Sequence, residues 1–106
     1  VSTQTLQDLG PALVALRLLA VDYAGLPAPC VSVSTVYPDR LELSFHDDLA
    51  GFEAWRGALG IEPERVTYHE HRCGTRVLTV NTGLAGADVV LVGYGRAARR
   101  REGTVQ

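Results

Sequence analysis

From Arg40 to His46 polar and apolar residues alternate without a break: Leu41, Leu43 and Phe45 fall between Arg40, Glu42, Ser44 and His46. Successive side chains of a strand point to opposite faces, so this run is a strand with one dry face and one polar face. Val31 and Val33 alternate with Ser32 and Ser34 in the same way. Between the two runs, Pro38-Asp39 suits the centre of a type I turn, and the pair reads as an antiparallel hairpin. A sheet that is dry on one side needs a second layer there, and the rest of the chain has to supply it.

Two segments carry the helical period. Leu6, Leu9, Leu13, Leu16, Ala20 and Tyr23 step by three and four, which predicts one apolar stripe. Ser2 or Thr3 can cap the start, Gly25 closes the segment, and Pro27 and Pro29 prevent its continuation. Pro11 either kinks this helix or opens a main helix after a short first turn that ends at Gly10. Leu18, Leu19 and Val21 widen the apolar surface beyond one stripe. The second helix starts at an Asp47 or Asp48 cap, shows Leu49, Phe52, Trp55 and Leu59 on one face, and ends at Gly60. Trp55 lies on that face as a core residue, and Gly51 and Gly57 either permit close packing or are tolerated flaws.

The last third is all strand: roughly 65–72, 76–81 and 88–94, with a turn at Gly74 and a Gly-rich loop, NTGLAGAD, before the last of them. VVLVGYG is continuously apolar, as in a strand covered on both sides or central in its sheet. The order is α-β-β-α-β-β-β. The expected fold is an α+β two-layer sandwich, with a mostly antiparallel five-stranded sheet and two helices on one face. Residues 1–98 form one domain in this reading, and 99–106 a flexible Arg-rich tail.

Charged residues are 21% of the chain and hydrophobic residues 46%, which suits a globular domain rather than a disordered one. The net charge of -2 gives no global pull toward nucleic acid or an anionic membrane. The apolar run from Ala12 to Val21 is broken by Arg17, lacks a preceding basic region and is too short to span a bilayer, so neither a signal peptide nor a membrane span is expected. Two cysteines are too few for a disulfide framework; free thiols and a cytoplasmic location are the expectation. All ten basic residues are Arg, and Ile61 is the single Ile, a bias that a GC-rich genome produces.

Chemistry is sparse. His69, His71 and Cys73 fall two apart, so on one strand they share a face. Imidazole and thiolate together suit Zn²⁺, with His46 as a further ligand if its strand is a suitable neighbour. The alternative is a polar solvent face, and with it no cofactor. Asp47-Asp48 offers paired carboxylates, which a helix N-cap explains more simply. Cys30 carries no nucleophile signature around it, and GYGR with NTGLAG lacks the Lys-Ser/Thr of a phosphate loop. Arg96, Arg99, Arg100 and Arg101 form the one basic cluster, able to meet phosphates or to be a solvated end.

The segment GLPAPCVSVSTVYPDRLELSFHDDLAGFEAWRGALGI, residues 25–61, resembles short uncharacterised actinobacterial proteins, many of them associated with plasmids, prophages or integrative elements. The likeness lies in the LPAP entry to the first strand, the aliphatic second strand and the FEAWRGALG helix. It covers about a third of the chain and implies an accessory role with no transferable catalytic residue. The absence of a convincing catalytic constellation, with the surplus apolar residues at Leu18-Leu19 and Val89 to Val92, leads to a non-enzymatic interaction module that self-associates as a homodimer, with any further protein partner unknown. A metal- or ligand-binding protein centred on His69 and His71, and a nucleic-acid accessory factor using the arginine cluster, are the alternatives.

Overall fold

The computed structural model describes residues 3–72 and 74–96. Its elements are α1 (Gly10–Asp22), β1 (Cys30–Val33), β2 (Arg40–His46), α2 (Leu49–Ala58), β3 (Thr67–Glu70), β4 (Thr75–Leu84) and β5 (Ala87–Arg96), with short 3-10 segments at Leu6–Leu9 and Pro63–Arg65. The element order is the one the periodicities predict. The sheet order is β1-β2-β5-β4-β3. Three of its joins are antiparallel, and β2 and β5 run parallel at the centre. The protein is a two-layer α+β sandwich.

Register decides which residues meet the helices. Leu41, Leu43 and Phe45 lie opposite Val89, Leu91 and Gly93, and this row faces α1 and α2. Burying it drives the fold, at roughly 25 cal/mol per Å² of apolar surface removed from water. The one-residue alternation sends Arg40, Glu42, Ser44 and His46, with Asp88, Val90, Val92 and Tyr94, to the opposite face, where no described helix lies. The apolar run of β5 therefore splits. Val89 and Leu91 are core, and Val90 and Val92 line the open face.

α2 sits on a gap made by glycines. Gly93 and Gly95 lack side chains beneath it, and Leu49 and Phe52 fill the space: a Cβ on Gly93 would lie 3.0 Å from Leu49 and 3.1 Å from the Phe52 ring. Phe52 meets Phe45 edge to face, with centroids 6.4 Å apart. Asp48 caps the helix by accepting from the Gly51 N–H at 3.0 Å. Gly51 is required by that cap, because a Cβ there would fall 2.3 Å from the Asp48 carboxylate, whereas Gly57 faces open space. Trp55 is core as expected. Its indole N–H donates to the Pro27 carbonyl at 2.7 Å, tying α2 to the segment that enters β1.

Two expectations need correction. The first concerns α1. As one of the two readings of Pro11 expects, a 3-10 turn ends at Leu9 and the helix starts afresh at Gly10 with Pro11 in its first turn; it is the apolar stripe that changes. The change of pitch breaks the stripe that began at Leu6, which is exposed. Ala12, Ala15 and Leu19 are the buried residues, with Leu16 and Tyr23 partly buried beside them. Leu19 is thus core rather than surplus. The second concerns NTGLAGAD, which is no loop. β4 runs on to Leu84, and a two-residue turn, Ala85-Gly86, joins it to β5. Both turn residues have positive φ, 53° and 84°, as a twist-matched hairpin turn requires. Ala85 gives little notice of this, since Asn or Asp is the usual residue there.

Candidate functional site

Exposed apolar side chains occur in the β1–β2 hairpin (Val31, Val36, Tyr37), at Tyr68 of β3 and on the solvent side of α1, where three of them share one helix. The helix buries Ala12, Ala15 and Leu19 against the sheet, yet its far side carries Val14 (51% exposed), Leu18 (39%) and Val21 (70%). Spacings of four and three place these three on one ridge, turned away from the core. β-branched residues are poor helix formers at exposed positions, so Val14 and Val21 lower the helix's own stability with only partial packing in return. Arg17 and Asp22 flank the ridge, and both are exposed. Among the described residues the ion pair found joins Arg56 to Glu53, so neither flanking charge has such a partner. Asp22 is also the last residue of the helix, where a carboxylate opposes the helix dipole.

A cleft of ≈ 190 Å³ opens beside this ridge, between Leu18, Asp22 and Tyr23 of the α1 end, Leu59 after α2 and Thr82 of β4. That volume is below the roughly 300–1,000 Å³ of small-molecule sites. The open sheet face is a second uncovered surface. Its middle is Val77, Thr79, Val90, Val92 and Tyr94, and Arg40, His46, Thr67 and Asn81 stand around it. Its apolar members are half-buried or buried among their neighbours, so it exposes less apolar surface than α1 does.

The histidines divide. β3 ends at Glu70, so His69 lies on the open sheet face and His71 in the following turn, where its N–H donates to the Thr75 carbonyl at 2.8 Å. Their rings nevertheless come within 5.2 Å, centroid to centroid. His46 shares the open face with His69, but Tyr94 and Val77 stand between them in the register. Three strand spacings, roughly 14 Å, keep His46 out of any ion held by His69. Its ring instead stacks on Tyr94 at 4.8 Å, with the Ser44 hydroxyl 3.4 Å from its Nε2. Cys73 lies outside the described residues. Among those described, no three His, Cys, Asp or Glu side chains group as a metal site.

Arg96 ends β5, and Arg99, Arg100 and Arg101 lie outside the described residues, as does the proposed tail 99–106. Asp48 is taken up by the α2 cap, while Asp47, at φ 57°, donates its N–H to the Tyr94 carbonyl at 2.7 Å and continues the parallel join. No described helix is long and apolar enough to cross a membrane. The structure is a small α+β domain whose α1 carries partly exposed apolar residues on its solvent side. Compared with protein-family models, curated proteins and solved structures, the chain matches none of them.

Proposed function

We propose that this chain is a non-enzymatic interaction module that works as a homodimer, in a cytoplasmic accessory role. The observation that carries the reading is the outer ridge of α1. Val14, Leu18 and Val21 stay partly exposed in the monomer, Val21 most of all. A contact that covered them would gain roughly 25 cal/mol per Å² before the costs of association. The ridge is small against the roughly 800 Å² per partner of a standard interface, so the dimer is weak and depends on concentration. Native mass spectrometry of untagged protein tests it: a dimer whose share rises with concentration supports the reading, and a monomer throughout overturns it.

A second reading has its own observation, the 5.2 Å between the His69 and His71 rings. Two imidazoles on one tetrahedral zinc, with Zn–N near 2.0–2.1 Å, hold their centroids about 5 Å apart. The same spectra test this reading. One zinc per chain, lost in H71A, supports it; zinc-free protein after incubation with the ion counts against it.

A further inference from the structure

Resting on the homodimer reading, we infer that two copies pack α1 against α1 in parallel, with Arg17 of each chain paired to the partner's Asp22. Val14, Leu18 and Val21 form the line of contact, and they lie roughly 120° around α1 from the buried line of Ala12, Ala15 and Leu19. Each α1 is held on its inner side by the sheet, so one face is free and two helices complete the contact.

Arg17 stands on one flank of the ridge and Asp22 on the other. Five residues at 3.6 per turn set them about 140° apart, too far around the helix to meet each other. Across a parallel two-fold pair, however, a flanking residue meets the one five positions on along the opposite flank of the partner. Arg17 and Asp22 have that spacing. The two-fold axis repeats the contact, so two ion pairs border the apolar line. In an antiparallel pair each flank would face its own copy, and Arg17 would approach the partner's Arg17. The charges thus select a second copy of this chain as occupant and fix its direction. They also explain an acidic residue at the end of α1, where the helix dipole disfavours one.

The test is sedimentation equilibrium on the full chain and three variants: R17E, D22R and the double variant R17E/D22R. All three changes are at exposed positions, and circular dichroism verifies that each variant is folded. In the parallel arrangement each single change replaces two attractions with two repulsions and raises the dissociation constant by about tenfold. The double variant restores both attractions with their signs exchanged and recovers the wild-type constant. Single variants that dimerise as well as wild type overturn the parallel pairing. V21E then tells where the contact lies: loss of the dimer keeps α1 as the surface in another arrangement, and a surviving dimer moves the contact elsewhere, with the open sheet face next to test. A wild-type chain that stays monomeric to hundreds of micromolar overturns the homodimer reading itself.

Discussion

Gly93 offers the sharpest check on how α2 meets the sheet. In G93A the new Cβ would lie 3.0 Å from Leu49 Cδ2 and 3.1 Å from two atoms of the Phe52 ring. Leu49 is half-buried and has room to shift, but Phe52 is buried and braced edge-on against Phe45. Forcing a methyl into such a space costs about 1–3 kcal/mol. Removing a glycine from the unfolded chain returns about 0.4–1 kcal/mol, since φ at this position is open to an L-residue. The expected net loss is about 1–2 kcal/mol. Gly83 provides the control: a Cβ there meets only the Ala87 carbonyl, at 3.9 Å, so G83A should be neutral or stabilise by about 0.4–1 kcal/mol. Urea unfolding followed by Trp55 fluorescence, at one protein concentration for all variants, reads both. A G93A protein as stable as G83A would refute the placement of Phe52 over Gly93.

Other outcomes follow from the same packing. Replacing Asp48 with Ala removes the α2 cap and should lower stability by about 0.5–2 kcal/mol in the same urea assay. W55A should cost about 3–5 kcal/mol, and W55F should retain part of that while leaving the Pro27 carbonyl without its donor. Desolvation, then the 3.1 Å hydrogen bond to Glu70 and that carboxylate's charge, hold the Tyr68 phenol above its ordinary pKa; in E70Q an ultraviolet titration should find it lower. The Arg56 hydrogen bond holds the Glu53 carboxyl below its usual range. The stability this pair adds is therefore present above the unfolded carboxyl's pKa and fades as pH falls through the lower folded value. Exposure keeps it small, and E53Q should flatten that part of the stability–pH curve.

The elements were legible because they are local. Alternation gave β2 both its span and its faces, and an Asp cap with an apolar period gave α2. The parallel join of β2 to β5 was not legible, because strands so far apart in sequence leave no local trace of pairing. The unbroken apolar run of β5 hinted only that it was central. Ala85 hid a hairpin turn, since nothing in its chemistry announces a positive φ. The apolar excess of α1 was visible in Leu18 and Val21, but its phase was not. The 3-10 turn shifted the buried line onto Ala12, Ala15 and Leu19, and only then did Val14 emerge on the outside. The histidine pattern alone suggests three residues on one strand. Its strand stops at Glu70, and the closeness of His69 and His71 comes from the turn that follows.

The proposed homodimer rests on the exposed ridge of α1. Sedimentation equilibrium of wild type beside V21E, at matched concentrations into the hundreds of micromolar, tests it most directly. Val21 is 70% exposed, so a charge there should leave the fold intact. The account predicts a wild-type monomer–dimer equilibrium that V21E abolishes. A wild type that never dimerises, or a V21E that dimerises equally well, would contradict it.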